Sequence, residues 1–175
     1  MKLTPAMQAF ILHWGDMGTK WGVNRSVAQI HALLHIAPNP MTADEICETL
    51  SLARSNVSTA LKELQGWQLV SANRQLGDRR DHFHSVRDMF DLVTVVVEGR
   101  RAREYLPTLN ALYDVAKDAE TDSTPADVQA RIAETLETMQ QFDDWYSDIS
   151  RIPRGIQKTL LSLGAKITRF IPKSG

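Results

Sequence analysis

Residues 41–86 read MTADEICETLSLARSNVSTALKELQGWQLVSANRQLGDRRDHFHSV, and this stretch decides the fold. It predicts a helix, a tight turn, a second helix and then a two-stranded hairpin with an arginine-rich tip. The first helix opens with a capping box, because Thr42 precedes Glu45 by three residues. Ile46 and Leu50 follow four residues apart on one helical face. This order of elements is typical of a unit that binds duplex DNA.

The second helix is predicted from Arg54 to Gly66, with Val57, Leu61 and Leu64 as its buried stripe. The residues outside that stripe are small, hydrogen-bonding or basic. A helix that approaches base edges and phosphates needs such side chains. These candidate DNA contacts are Arg54, Ser55, Asn56, Ser58, Thr59 and Lys62.

The hairpin supplies two further candidate contacts. Trp67–Val70 is predicted to begin its first strand, and Leu76-Gly77-Asp78 forms its tip, with Arg79 and Arg80 beside the tip. Arginines on a wing suit a narrow, electronegative minor groove or the phosphates that flank it. Taken singly, each candidate is more often ordinary solvated surface. The ordered combination of helix, turn, helix and basic hairpin predicts DNA binding.

Composition sets the class of protein. The 175 residues are 43% hydrophobic with a net charge of -1, and this length suits one domain, or one domain with an added helical subdomain. The lone Cys47 excludes an internal disulfide and fits a reducing compartment. The N-terminal residues carry no secretion signal pattern, and no stretch of about 20 apolar residues exists. We therefore expect a cytoplasmic protein without stable membrane insertion.

The near-zero net charge hides a segregation along the chain. Residues 54–87 carry six basic and three acidic side chains. Residues 105–150 carry two basic and ten acidic ones, a net charge of -8, whereas residues 151–175 carry six basic and no acidic ones. Positive charge gathered on one face lets a neutral protein bind nucleic acid. The acidic middle of the chain is expected to face away from DNA.

Long helices are predicted after the hairpin. The first runs over 88–119, and Pro107 should kink or restart it; the second runs over 125–149. A third follows Pro153, with Ile156, Leu160, Leu163, Ile167 and Phe170 on one side and Lys158, Lys166 and Arg169 off that stripe. A second protomer is the simplest place for these stripes to be buried, and a monomeric core is the alternative.

The predicted fold is therefore mainly α with a small β-wing. Residues 1–87 form a DNA-binding domain, which includes two N-terminal helices, and residues 88–175 form a helical dimerisation and regulatory region. The basic third helix also resembles a membrane-surface element. Packing against protein or contact with flanking DNA is favoured for it, because Phe170 is its only aromatic residue.

No catalytic motif is evident, so we expect neither an enzyme nor a cofactor. His31 and His35 lie four apart, as in a helical metal pair, but no third ligand is evident nearby and a structural role is favoured over a metal site. Two aromatic clusters could hold a small cation by cation–π attraction, with ordinary packing as the favoured alternative. Their members, the candidate ligand-binding residues, are Trp14 and Trp21 near the N-terminus and Phe142, Trp145 and Tyr146 near the C-terminus.

Three segments carry a family resemblance: LSLARSNVSTALKELQGWQLV at 50–70, GDRRDHF at 77–83 and EGRRAREYLPTL at 98–109. They resemble the GbsR group of MarR-related winged-helix transcriptional regulators over about residues 5–150. The resemblance implies a homodimer that binds operator DNA and represses transcription, in some members under control of a quaternary ammonium. Ala53 departs from the family pattern, since such helices often have a capping Ser or Thr there.

Two function classes follow from these observations. The first is a dimeric, sequence-specific transcriptional repressor, with a small ligand as its candidate control. The alternative is a winged-helix module that binds another protein and not DNA. Charge separates the two, because a protein-binding helix does not need Arg79 and Arg80 beside an uncompensated Arg54 and Lys62.

Overall fold

The computed structural model describes residues 1–74 and 76–167, with side chains as far as residue 164. The chain forms two compact units, Met1–Gly99 and Arg100–Gly175. Within the described residues, no helix is both long enough and apolar enough to cross a bilayer. The elements in chain order are α1 Pro5–Lys20, α2 Arg25–Ile36, β1 Met41–Thr42, α3 Ala43–Leu50, α4 Arg54–Gly66, β2 Val70–Arg74, β3 Asp81–Ser85, α5 Met89–Arg100, a π-helical turn Arg101–Tyr105, α6 Leu106–Thr121, α7 Ala126–Arg151 and α8 Arg154–Ile167.

The core of the first unit is built around α2. Ile30 and Leu33 are fully buried there and pack with Ile46 of α3 and Val57 of α4. These positions recur at three and four residues in each helix, so one apolar side of each faces a common centre. The polar side of α4 is consequently left on the surface of the unit.

The turn between α3 and α4 sets how α4 is presented. The predicted capping box is present: Thr42 Oγ1 accepts from the Glu45 amide at 3.3 Å, and Glu45 Oε2 accepts from the Thr42 amide at 2.7 Å. Ser51 ends α3 in the left-handed region, at φ 52°. Ala53 gives α4 no side-chain cap, as its sequence departure predicts, so the first amides of α4 are not capped by its own N-cap side chain.

A small antiparallel sheet forms the wing, in the order β1-β3-β2. β1 is a two-residue strand that the sequence did not predict, and it pairs Met41 with Phe83. The predicted start of β2 at Trp67 was wrong. Trp67 caps the end of α4 and Gln68 turns the chain in the left-handed region, at φ 59°, so that β2 begins at Val70.

The base of the wing is tied to α2 by hydrogen bonds. Ser85 Oγ lies 3.1 Å from His31 Nε2, and His35 Nδ1 lies 3.1 Å from the carbonyl oxygen of Val86. Arg87 donates to the carbonyl oxygens of Ala37 at 3.0 Å and of Pro38 at 2.8 Å. The wing therefore leaves the core from a fixed position, and its strands carry the tip outward from that anchor.

α5 continues the first unit, and Val93–Val97 is helical despite its β-branched residues. A Cβ atom placed on Gly99 would lie 2.9 Å from two ring atoms of Trp67. Gly99 thus permits close approach of α5 to the residue that ends α4. Along α5, Met89, Val93 and Val97 are spaced four residues apart and are all exposed.

The second unit begins at the π-helical turn, and Pro107 lies in the first turn of the restarted helix α6. Arg101 in that turn reaches α7, where its guanidinium donates to both oxygens of Asp143 at 2.6 and 2.7 Å. The Tyr105 hydroxyl donates to the Met139 carbonyl oxygen at 2.8 Å. These bonds fasten the turn and α6 to α7.

α8 follows α7 after Pro153, as predicted. Its described side chains from 154 to 164 are exposed, except for Gln157, which is half-buried. Ile156, Leu160 and Leu163 of the predicted stripe are among the exposed ones. The stripe members Ile167 (side chain) and Phe170, and the off-stripe Lys166 (side chain) and Arg169, lie outside the described residues.

Candidate nucleic-acid interface

The exposed side of α4 divides into a centre and two flanks. Ser55, Thr59 and Lys62 are spaced four and three residues apart opposite the buried stripe, so they form the centre. Arg54 and Ser58 lie on the flank that faces the wing. Asn56 lies on the other flank, away from the wing. Ser58 is half-buried, whereas the other candidates on α4 are exposed.

A groove of about 410 Å³ separates α4 from the wing and the start of α3. It brings together five of the eight predicted contacts, namely Arg54, Ser58, Lys62, Arg79 and Arg80. Ser55, Asn56 and Thr59 do not line it. The helix and the wing, which are separate along the sequence, therefore form one concave polar surface. The centre of the exposed α4 face borders this surface on the outside.

Arg54 is not uncompensated, and that part of the sequence argument was wrong. Its guanidinium donates to Asp44 at the beginning of α3, and both side chains are exposed. Both side chains line the groove. A solvated pair of this kind is weak, because water and salt screen it, so phosphate can replace the carboxylate as the partner of Arg54.

The wing tip is organised by Asp78. Its carboxylate accepts from the Arg80 amide at 2.9 Å and from the Arg80 guanidinium at 2.6 and 3.0 Å. His82 Nε2 lies 3.2 Å from the same carboxylate. The hydrogen bonds from Arg80 hold the pKa of Asp78 well below its usual range, so the carboxylate stays charged. Arg80 is therefore engaged within the tip.

Arg79 and Lys62 differ from these paired arginines. Both are exposed and line the groove, and neither makes a hydrogen bond or ion pair within the part of the chain that the structure describes. A cation without a protein partner gives up only water and counterions when it meets phosphate. Lys62 on α4 and Arg79 on the wing are thus groove cations that no protein partner holds within the described residues.

The acidic residues near the groove keep the site from being uniformly positive. Hydrogen bonds from the backbone and side chain of Thr42 lower the pKa of Glu45. Asp44 and Asp81 line the groove, and Asp81 accepts from Arg74 at 3.3 Å. The groove therefore carries carboxylates as well as cations.

Asp78 and Gln65 were missed at the sequence level. Gln65 lines the groove and follows Lys62 by three residues and Ser58 by seven. It therefore lies on the same side of α4, and the helical spacing could have identified it. Asp78 was noted only as a turn residue. Its spacing of two residues from Arg80, typical of an Asx turn, was the available signal of a tip organised by its own carboxylate.

The N-terminal aromatic residues do not form an open cage within the first unit. The Trp14 ring stacks on Phe10, with centroids 5.4 Å apart, and on His35, with centroids 6.4 Å apart. His31 is buried beside them, and burial, followed by repulsion from His35, lowers its pKa to about 4. Trp21 is exposed at the end of α1.

The C-terminal aromatic residues lie on α7. Tyr146 already faces a cation, because the Arg101 guanidinium carbon lies 5.5 Å from its ring centroid. Phe142 and Trp145 are exposed. Candidate ligand residues are thus present in both units, and their role as a binding site stays a prediction.

His31 and His35 both make contacts within the first unit. His31 contacts Ser85 and His35 contacts the Val86 carbonyl, as described for the wing base. Among the residues that the structure describes, no group of three His, Cys, Asp or Glu side chains is placed to hold a metal ion. Cys47 is half-buried and packs against the core of the first unit.

Comparison with known proteins places this geometry in context. Residues 21–81, which span α2 to the first residue of β3, match the MarR family. Over 156 residues the chain is 22% identical to the HTH-type transcriptional repressor GbsR of Bacillus subtilis (strain 168), which covers 87% of this chain and 83% of that protein. A transcriptional regulator of known crystal structure superposes with a TM-score of 0.57 at 18% identity, covering 82% of this chain and 95% of that one. That superposition shows a shared fold.

Proposed function

We propose that this protein, whose residues 21–81 match the MarR family, is a dimeric, sequence-specific DNA-binding regulator that represses transcription. One observation carries the proposal. The groove between α4 and the wing places Arg54, Lys62 and Arg79 around a concave surface. Separate elements have no packing reason to converge polar and cationic side chains in this way, whereas a nucleic-acid backbone requires it.

The centre of the α4 face enters the major groove. Ser55 and Thr59 are short hydroxyl side chains, so they allow the helix to approach base edges and can donate or accept there. Lys62 and Arg54 contact phosphates on the side that faces the wing. Arg79 at the wing tip reaches the adjacent minor groove or its phosphates. Asn56, on the far flank of α4, contributes less to base recognition than Ser55 or Thr59.

A two-fold dimer supplies the second half of the binding site. Both units expose apolar side chains at helical spacing, among them Met89, Val93 and Val97 on α5. Exposed stripes of this kind mark surfaces that associate. A dimer about the two-fold axis presents two α4 helices about one DNA turn, ~34 Å, apart. Residues 1–87 then act as the DNA-binding part, and residues 88–175 as the dimerisation and regulatory part.

Selection from a random duplex library, followed by binding over a series of salt concentrations, tests the proposal. We expect a two-fold symmetric site whose affinity falls steeply with salt. Lys62→Ala should weaken binding, and Lys117→Ala on the acidic helix α6 is the matched control that should not. The proposal fails if the wild-type protein has no salt-sensitive affinity for any duplex, including the DNA upstream of its own gene.

Binding to a protein in place of DNA remains the alternative, and Arg54 no longer separates the two because it pairs with Asp44. Lys62 and Arg79 do separate them. A protein-binding helix would leave both cations in water, so their removal would not change the affinity for the partner, whereas a DNA-binding unit loses phosphate contacts with each of them.

A small-molecule effector is a further part of the proposal, and a quaternary ammonium is its candidate through the family resemblance alone. Trp21, Phe142 and Trp145 are exposed aromatic side chains that such a cation could contact. Titration with choline, followed by tryptophan fluorescence, tests this part. A saturable change that is lost in Trp145→Ala or Trp21→Ala supports it, and an unchanged spectrum up to millimolar choline removes it.

A further inference from the structure

α8 (Arg154–Ile167) has an apolar side that the described residues of its own chain leave exposed. Ile156, Leu160 and Leu163 are spaced four and three residues apart, and all three are exposed. α8 packs along no other described helix. A helix of this length is marginal by itself in water, because helix formation has a costly nucleus. A stable α8 therefore needs a surface to bury this stripe.

A short corner joins α7 to α8. Pro153 stops α7, and the Gln157 side-chain amide donates to the carbonyl oxygens of Ile152 at 2.7 Å and of Ile149 at 3.0 Å. Carbonyls at a helix end have no partners within the helix, so these bonds stabilise the open corner. The stripe is thus available to a surface outside the chain.

A matching surface exists on α7. Phe142 and Trp145 are 63% and 62% exposed there, and their spacing of three residues places them side by side on the helix. Asp127, Glu134 and Asp148, which are seven and fourteen residues apart, lie on the exposed side next to Trp145. Residues 105–150 have a net charge of -8, and residues 151–175 have a net charge of +6. The two segments are complementary in both apolar surface and charge.

We propose that α8 is an exchanged arm: in the dimer, the α8 stripe of one protomer packs on Phe142 and Trp145 of the other protomer. This inference rests on the dimer of the proposed function, and it assigns the arm's binding surface. Arg154 and Lys158 lie off the stripe, so the positive charge attracts the acidic unit at a distance and does not form the contact itself. Each dimer forms two such contacts, which are related by the two-fold axis.

An anionic membrane fits α8 less well. The described stripe contains no tryptophan or tyrosine, the residues that anchor helices at a bilayer surface. The acidic segment 105–150 adjoins α8 along the chain and would be repelled by anionic lipid. The same segment attracts α8 of a second copy, so the observations favour protein over lipid.

Disulfide trapping in the full-length chain tests the arm directly, because Cys47→Ser removes the only native thiol. Two chains with tags of different size, one with Leu160→Cys and one with Trp145→Cys, are coexpressed and oxidised mildly. We expect a disulfide between the two chains. Leu161→Cys is the matched control, since Leu161 is 69% exposed on another side of α8 and should cross-link far less.

Sedimentation provides the second measurement. Leu160→Glu should raise the dimer dissociation constant about tenfold, equivalent to ~1.4 kcal/mol, whereas Leu161→Glu should leave it within about twofold. The wild-type dissociation constant should also rise with salt, because charge attraction contributes to the contact.

Three results would overturn the arm. The first is a disulfide within one chain that carries both cysteines, with none between chains, since α8 then folds onto its own α7. The second is a DNA-binding dimer with neither cross-link nor any response to Leu160→Glu, which leaves the proposed function intact. The third is binding to phosphatidylglycerol vesicles that Leu160→Glu abolishes while the dimer is unchanged. A wild-type monomer at micromolar concentration would instead contradict the dimer itself.

Discussion

The two arginines of the wing tip should contribute differently to DNA binding. Arg80 is held by Asp78 through its amide and its guanidinium, whereas Arg79 makes no hydrogen bond or ion pair within the described residues. Arg79→Ala should therefore remove a phosphate contact from each wing. Arg80→Ala should remove mainly a contact internal to the tip.

The salt dependence of binding gives the magnitude. Each phosphate contact contributes about 0.9 to the slope of log affinity against log salt, so loss of two contacts per dimer lowers the slope by about 1.8. Between about 50 and 200 mM salt, the wild-type protein should then lose roughly twelvefold more affinity than Arg79→Ala. Fluorescence anisotropy of a labelled duplex at several salt concentrations measures both slopes.

Asp78→Ala provides the converse test of the wing tip. Removal of the carboxylate releases the Arg80 guanidinium and eliminates a negative charge near phosphate. The slope should become steeper than in the wild-type protein, and binding to unrelated duplexes should strengthen. The reasoning is refuted if Arg80→Ala lowers the slope as much as Arg79→Ala does, or if Asp78→Ala leaves the slope unchanged.

Three further predictions concern stability, each followed by urea unfolding. Gly99→Ala should destabilise the protein by about 1–2 kcal/mol, because overlap with a tryptophan ring 2.9 Å away outweighs the helix propensity of Ala, whereas Gly164→Ala, with open space around it, should not destabilise. Thr42→Ala should cost about 1 kcal/mol, since it removes one half of a capping box; no loss would contradict that role. Burial lowers the pKa of His31 to about 4, so on acidification the unfolded chain binds a proton before the folded protein does. The free energy of unfolding should therefore fall by up to about 3 kcal/mol as the pH drops from 6.5 to 4. His31→Gln should flatten that dependence and His13→Gln should keep it.

Helices were predictable where a single periodic pattern decided them. The bounds of α4 follow from the stripe of Val57, Leu61 and Leu64 and from Gly66 at its end, and the structure gives the same bounds. The helical state of α5 also follows, although its valines favour a strand. In both segments the local pattern and the tertiary packing favour the same state.

Features that depend on residues distant in sequence were not predictable. β2 begins at Val70 and not at the predicted Trp67, because Gln68 adopts a left-handed backbone conformation, which propensity does not favour for glutamine. The Arg54–Asp44 pair joins two helices across a turn, and helical spacing within one element cannot reveal it. The burial of the α8 stripe depends on a surface elsewhere, so periodicity predicts the helix but not its partner.

The hydrogen bonds that tie the wing base to α2 affect the kinetics of binding. The base of the wing is already fixed in the free protein by hydrogen bonds of His31, His35 and Arg87. Binding to DNA should therefore cost little conformational entropy at the wing base. Association should therefore proceed at a rate set by electrostatic attraction, without a slow ordering step. Substitutions at this anchor, far from any phosphate, should slow association by making the wing mobile, whereas substitutions at the tip should mainly shorten the lifetime of the complex.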